Sequence, residues 1–369
     1  MNINLSYDAR KETAYAIRNK LDSLNSKLYV WGCSLTAKTV IEYLKKVCSA
    51  VPYAFIVDDK YYDSPQYMSL PVIKRSEYEK SCVRNDQIVI GFTNEKAAEA
   101  LKKQLPKEID CYYFFFTYSA SSENRWLDAD FYKKHSARFE KTFNSLADEK
   151  SKTVMQAFIN ACISGDISEL NKHISSGQYF NELTIDKCKG DFIDLGAYIG
   201  DTAIKALDFY GSSIGNVISF EPDNENIKKY INAINIHKEY LDRYKLIKKG
   251  SWSKKDTLYF SSSDSSSSVS DTGNISIEVD SVDNVLEEIG NSTIGYIKMD
   301  VEGSEKETLL GCKKTIQKHH PSLAVCVYHK PEDLFELFDI ISEYDTENKY
   351  KYYLRYYGPD LRELVLYAL

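Results

Sequence analysis

The sequence predicts two α/β domains separated by a helical stretch, and three observations carry that prediction. Short apolar runs alternate with helical segments from residue 27 to about 118. The same alternation restarts at Asp191 and continues to the C-terminus. Between them, residues 120 to 180 show charged residues with isolated aromatics at helical spacing and almost no Gly or Pro. Strand and helix in alternation imply parallel sheets covered by helices. The expected organisation is a smaller Rossmann-like α/β domain over 1–118, a helical connector over 119–180 and a larger α/β domain over 181–369.

In the first domain, Lys27–Trp31 reads as a strand, Gly32 as a turn, and the segment through Val40, Tyr43 and Leu44 as a helix. Ala54–Val57 is the next strand and runs into Asp58 and Asp59; Ile88–Gly91 is another, and the aromatic run from Cys111 to Phe116 closes the set. In the connector, Trp126, Phe131, Phe139, Phe143, Val154, Phe158 and Ile159 recur with the period of a helix. The larger domain offers strands at 191–195, 217–220, 245–249, 295–300, 323–328, 351–357 and 363–368. The last two are joined by a tight turn at Gly358-Pro359-Asp360, giving five parallel strands and a closing hairpin. One stretch, 250–280, interrupts the alternation. Its serine-rich part, Ser261–Ser270, reads equally as solvated linker or as a lid.

The chain has 369 residues and a formal net charge of -7. That excess of acid argues against nucleic acid as the main partner, since phosphate binding needs a basic face. The N-terminus has no apolar segment behind a basic start, and the aromatic run at 111–116 is too short to cross a bilayer. None of the eight cysteines forms a C-x-x-C pair, and most sit in apolar patterns. Buried reduced thiols account for them, and a cytoplasmic location follows.

Four motifs carry chemistry, all in the larger domain. In Phe192-Ile193-Asp194-Leu195-Gly196-Ala197-Tyr198-Ile199-Gly200-Asp201-Thr202 a strand enters D-x-G-x-x-x-G and then a helix. Gly196 removes Cβ where the chain must turn and pass close to a ligand. The following helix points free N–H groups into the crevice, which suits the carboxylate of S-adenosylmethionine (SAM). Dinucleotide folds use G-x-G-x-x-G for a pyrophosphate, so this spacing favours SAM over a nicotinamide cofactor. The second motif, Phe220-Glu221-Pro222, puts a carboxylate at the next strand tip, where it can accept both ribose hydroxyls. Its distance from Gly196 is close to the ~20 residues usual in dinucleotide folds.

The third, Tyr296-Ile297-Lys298-Met299-Asp300-Val301-Glu302-Gly303-Ser304-Glu305, again ends a strand in acids at the ligand-binding edge. Asp300 should face the methyl end of the cofactor. Glu302 and Glu305 open the next helix, where acids also complement the dipole, an account sufficient for Glu305. The fourth, Val325–Lys330, carries His329 to a strand tip beside Asp300, as a candidate proton acceptor or a hydrogen-bonded structural histidine. A divalent metal bridged by Asp300 and Glu302 is an alternative, but a lone D-x-E is a thin ligand set and none is assigned.

These elements together resemble the FkbM family of SAM-dependent methyltransferases. The resemblance rests on FIDLGAYIGDT, SFEPDNEN, KKGSWS, IKMDVEGSE with LLGC, VYHK and ELVLY, and covers roughly 178 to 369 from Gln178-Tyr179-Phe180 onward. It implies a class I, Rossmann-like methyltransferase sheet of seven strands. It also implies O-methylation, often of a sugar hydroxyl in a polysaccharide, glycolipid or natural product, with the acceptor not inherited. On this reading Asp194, Gly196, Tyr198, Gly200, Asp201, Thr202, Glu221, Pro222, Gly250 and Ser251 hold SAM. Asp300, His329 and Glu302 form the catalytic edge. Tyr198 departs from the Asn common in the family, which puts the contacts at the methionine end in question.

In the first domain, Gly32-Cys33-Ser34-Leu35-Thr36-Ala37 looks like G-x-G-x-x-A with Ser34 for the second glycine, and Asp58 occupies a ribose-binding position. Nucleotide or nucleotide-sugar binding and a structural or dimerising role both remain open there, so a homodimer is compatible with the sequence. A nicotinamide-dependent nucleotide-sugar oxidoreductase is the competing enzyme reading. The missing glycine and the lack of a Tyr-x-x-x-Lys pair count against it. A non-catalytic SAM- or nucleotide-binding protein is the third.

Overall fold

A computed structural model describes residues 3, 5, 9–24, 26–92, 94–114, 126–260, 275–290, 293–358 and 361–369. The serine run 261–270, Phe115 and Phe116 of the aromatic run, and Pro359 and Asp360 of the predicted turn lie outside the described residues. The chain divides into two compact units: one is 4–131 with 158–169, the other 1–3, 132–157 and 170–369.

The first unit is a parallel α/β layer. Its elements are α1 (Ala9–Leu24), β1 (Leu28–Trp31), α2 (Leu35–Cys48), β2 (Ala54–Val57), β3 (Gln66–Tyr67), β4 (Leu70–Lys74), α3 (Arg75–Ser81), β5 (Gln87–Ile90), α4 (Glu95–Gln104) and β6 (Asp110–Tyr113). The sheet order is β3-β4-β2-β1-β5-β6, parallel except for β3. Strands β1, β2 and β5 are buried along their whole length, as expected for strands covered on both faces. One face packs Val40, Tyr43 and Leu44 of α2 on Leu28, Val89 and Phe114. The sequence reading missed β4, because Pro71 breaks the apolar run that signals a strand.

Two long helices follow, α5 (Ala129–Ser145) and α6 (Glu149–Ser164), and then the short α7 (Ser168–Asn171). The second unit contains β7 (Gly190–Leu195), α8 (Asp201–Tyr210), β8 (Ile214–Phe220), α9 (Asn224–Ile234), β9 (Tyr244–Ile247), β10 (Gly250–Ser251), β11 (Asp256–Phe260) and β12 (Ile275–Asp280). It continues with α10 (Val282–Ile289), β13 (Ile294–Met299), α11 (Glu305–Leu310), α12 (Lys313–His319), β14 (Ser322–Cys326), α13 (Asp333–Tyr344), β15 (Tyr352–Tyr356) and β16 (Leu364–Ala368).

The main sheet runs β15-β16-β14-β13-β7-β8-β9. The strands from β9 to β14 are parallel, and β16 is antiparallel to both β14 and β15. This is the seven-stranded arrangement the sequence predicts, five parallel strands plus a hairpin. Chain order reverses direction between β7 and β13, and at such a switch point ligands bind outside the carboxyl ends of the strands. A second sheet, β10-β12-β11, occupies the stretch that reads as an interruption. The alternation in Ile275–Asp280 is a strand signal, but the neighbouring serines mask it.

Two polar pairs tie this unit together. In the β7–β13 register Asp194 stands opposite Lys298, and the ammonium lies 3.1 Å from the carboxylate with both side chains almost fully buried. At the N-terminus of α6, Asp148 accepts from the Ser151 amide at 2.8 Å, and Arg355 on β15 approaches its other oxygen at 2.6 Å. Burial pushes the Asp148 carboxyl up, but Arg355 and Ser151 more than offset this and hold it at about 2.

Removing one member of a buried pair leaves an uncompensated charge. Lys298→Met is therefore expected to destabilise the fold by about 3–5 kcal/mol in urea titration. Asp148→Ala removes a helix cap and should cost about 1–2 kcal/mol. The lowered folded-state pKa means that Asp148 contributes its stability above the unfolded value of ~4 and loses it as pH falls toward about 2. The stability difference between wild type and Asp148→Ala should shrink through that window; a constant difference would contradict the assignment.

Candidate active site

The site grows from the tip of β7. Gly196 follows the strand with φ of 80°, and a Cβ there would stand 1.9 Å from the Asp300 carbonyl oxygen. The glycine is thus required already by the approach of β7 to the chain leaving β13. Gly200, with φ of 85°, is the N-cap of α8, and a Cβ there would meet the Tyr230 ring at 2.8 Å. Among the described residues no side chain caps α8, so the N–H groups of its first turn are available to an anion. Asp201 in that turn pairs with Lys205 at 2.8 Å, while Thr202 is buried. Tyr198, φ 49°, is exposed at the corner between the two glycines.

Asp194 is fully buried beneath this corner. Burial raises its carboxyl pKa and Lys298 offsets part of that rise. Burial also opposes the Lys298 charge, but Asp194 and then Asp300 outweigh it and hold the ammonium charged. Lys298 donates to the Gly196 carbonyl at 2.8 Å, so the pair supports the backbone of the corner from inside.

Glu221 ends β8 on the next tip and is 6 % exposed. Its Oε2 accepts from the Tyr198 amide at 2.8 Å; its Oε1 accepts from the Asp223 amide at 2.9 Å and from Asn226 at 3.3 Å. A carboxylate offers about four acceptor positions, so these three donors leave room for a hydroxyl. Burial raises the Glu221 pKa, and the same donors moderate the rise. Pro222 lies beside Gly250, where a Cβ would be 3.8 Å from the proline ring. Ser251 is buried, with its hydroxyl 3.0 Å from that of Thr308. Glu221, Pro222, Gly250 and the α8 N-terminus therefore share one side of the β7 tip.

On the other side, past β13 and β14, acids gather around one histidine. His329 Nδ1 lies 2.9 Å from Glu305 Oε1, and Nε2 lies 3.7 Å from Asp300 and 3.6 Å from Glu302. Glu305 also accepts from the Val301 amide at 3.0 Å, which closes the turn over Glu302 (φ 53°) and Gly303 (φ 93°). Burial disfavours a charged imidazole, but Glu305 first, then Asp300 and Glu302, more than offset it and raise the His329 pKa to about 10. Asp300 accepts from the Tyr179 hydroxyl at 3.2 Å and from the Tyr328 hydroxyl at 3.4 Å. Gln178 donates to the Tyr179 hydroxyl at 3.0 Å and also to Glu363. Glu302 is exposed at the mouth.

The structure thus brings Asp300, Glu302 and His329 together, as their strand-tip positions suggested. It adds Glu305, Gln178, Tyr179, Tyr328 and Glu363. Glu305 reads in the sequence as a dipole-complementing acid, yet it is 1 % exposed and faces the histidine. Nothing local separates those roles. Glu363 reaches the cluster only because β16 inserts beside β14.

At the strand tips of the first unit, the polar groups are used internally. The Ser34 hydroxyl donates to the Gly91 carbonyl at 2.6 Å and accepts from the Ala37 amide at 3.4 Å. Asp58 lies 3.5 Å from Arg75.

Residues 194–352 match the model of the methyltransferase FkbM domain. The chain is similar to the crystal structure of a methyltransferase FkbM from Methylobacillus flagellatus, with TM-score 0.73 and 20% identity over 96% of this chain and 93% of that one. It is also similar to Aeropyrum pernix fibrillarin in complex with S-adenosyl-L-methionine, with TM-score 0.33 and 10% identity over 50% of this chain and 68% of that one. The second likeness is too low to bear on function. No curated protein matches the chain. The segment that supplies Glu221, Asp300 and His329 therefore matches the methyltransferase FkbM domain model, and the likeness to the Methylobacillus flagellatus structure shows that the chain has the same fold.

Proposed function

We propose that this chain is a cytoplasmic SAM-dependent O-methyltransferase acting on a hydroxyl of a sugar or glycan precursor. The observation that carries the cofactor is the buried Glu221 carboxylate, with an acceptor position to spare, beside the uncapped N-terminus of α8. A ribose and an amino-acid carboxylate present the complementary groups: hydroxyl donors for Glu221 and an anion for the helix end. Gly196, Gly200, Tyr198, Asp201, Thr202, Pro222, Gly250 and Ser251 line or shape that half of the site, and Asp194 braces it through Lys298. Bound there, SAM supplies a methyl group on a sulfonium that leaves without further activation.

The remaining work falls to the protein: holding an acceptor oxygen in line and receiving its proton. The Asp300 and Glu302 carboxylates can receive the proton and His329, held protonated by the acids around it, can orient the acceptor, because the three converge at the tip next to Gly196. A sugar suits this edge, since Asp300, Glu302, Glu363, Gln178 and the Tyr328 hydroxyl offer the dense hydrogen-bonding surface that a polyol matches. Five buried free cysteines (Cys48, Cys162, Cys188, Cys312 and Cys326) support a reducing compartment. Among the described residues no helix is long and apolar enough to cross a membrane.

Calorimetry with S-adenosylhomocysteine tests the cofactor half. Wild type should bind, and Glu221→Gln should bind at least ~10-fold more weakly, as expected for losing one charge-assisted hydrogen bond. His329→Ala should keep that affinity and lose turnover in a mass-shift screen against sugar acceptors. No affinity in the wild type would overturn the reading.

A further inference from the structure

We infer that Asp300, Glu305 and His329 form a divalent-cation site, with Glu302 at its mouth as a fourth ligand. One ligand atom from each of the three lies within 4.8 Å of the others. A His nitrogen with carboxylate oxygens is a donor set for a first-row divalent metal such as Mn²⁺ or Zn²⁺.

The case does not rest on acidity alone. Glu305 is 1 % exposed, and its Oε2 has no hydrogen-bond partner among the described residues. The same holds for His329 Nε2, on a side chain only 11 % exposed. Buried polar atoms left without a partner cost about 1–3 kcal/mol each, so each of these two calls for an occupant.

The spacings agree. Nε2 lies 3.7 Å from Asp300 and 3.6 Å from Glu302, too far for hydrogen bonds. Ligands each ~2.0–2.2 Å from one ion stand about 3–3.6 Å apart, so modest rotation of the exposed Glu302 and of Asp300 completes a shell. The surrounding groups hold the ligands in place: Tyr179 and Tyr328 donate to Asp300, and the Val301 amide donates to Glu305. Glu302 and Gly303 take left-handed backbone conformations that turn the loop around the cluster. Such supporting hydrogen bonds are a regular feature of metal sites.

This inference stands independently of methyl transfer. Where both hold, the cation would draw an acceptor oxygen to the strand tip next to Gly196 and make its hydroxyl more acidic.

The test is titration of the EDTA-treated full chain with MnCl₂, without SAM, following free Mn²⁺ by electron paramagnetic resonance. One ion should bind per chain. Asp300→Asn and Glu305→Gln should each weaken binding at least ~10-fold. Glu302→Gln, at an exposed position that the fold tolerates, should weaken it by a smaller factor. Circular dichroism establishes that each variant is folded, and if Glu305→Gln is not, Asp300→Asn and Glu302→Gln decide. No binding by wild type up to millimolar Mn²⁺, or affinity unchanged in the folded variants, overturns the site. Binding of Mn²⁺ without affinity for S-adenosylhomocysteine would leave the site standing and remove the methyl-transfer reading; the reverse result would do the opposite.

Discussion

The approach of two backbones at the centre of the sheet governs everything around it. Gly196 and Asp300 meet where β7 and β13 end, so closely that any Cβ on Gly196 would collide with the Asp300 carbonyl. The Asp300 amide donates to the Leu195 carbonyl at 3.0 Å, and the buried Asp194–Lys298 pair locks the same two strands one step below. With that junction closed, the chain leaving β7 turns toward β8 and the chain leaving β13 turns toward β14. A crevice must open between them, since parallel strands on either side of a switch point diverge into loops on opposite faces.

The two halves of the crevice differ in kind. On the β8 side, donors meet one carboxylate: the amides of Tyr198 and Asp223 and the amide group of Asn226 all converge on Glu221. That half is preorganised, with its hydrogen bonds already formed. On the β14 side the balance is reversed. Asp300, Glu302, Glu305 and Glu363 surround a single imidazole, with tyrosine hydroxyls and Gln178 as the neutral donors. Negative charge exceeds positive charge there, and burial makes the excess costly unless a proton, a metal ion or a cationic centre relieves it. The high pKa of His329 is one form of that relief. In the proposed reaction a sulfonium would bring positive charge to the same edge, where these acids would meet it.

The first unit shows how one side chain can change the use of a familiar corner. Ser34 stands where a second glycine would leave the turn open for a pyrophosphate. Its hydroxyl instead bridges the tips of β1 and β5 through the Gly91 carbonyl while capping α2. Gly91 is itself hemmed in, since a Cβ there would meet Ala37 at 2.7 Å. Both observations favour a packed, structural corner over an open nucleotide cradle.

The sequence by itself determined the α/β class, the seven strands of the larger sheet and the three strand tips that bear Gly196, Glu221 and Asp300. Those features are local. A buried parallel strand must be continuously apolar, and its end must be marked by a turn residue or an acid. The sequence could not reveal the strand with Pro71, the small sheet flanking the serine run, or the Asp300 carbonyl that stands against Gly196. It also could not separate Glu305 from any other acid in a first helical turn, or place Gln178, Tyr179 and Glu363 beside Asp300. Only the tertiary structure decided these, because each depends on partners distant in sequence. Burial, unpaired atoms and charge balance arise when β13, β14 and β16 pack side by side, and no window along the chain contains all three.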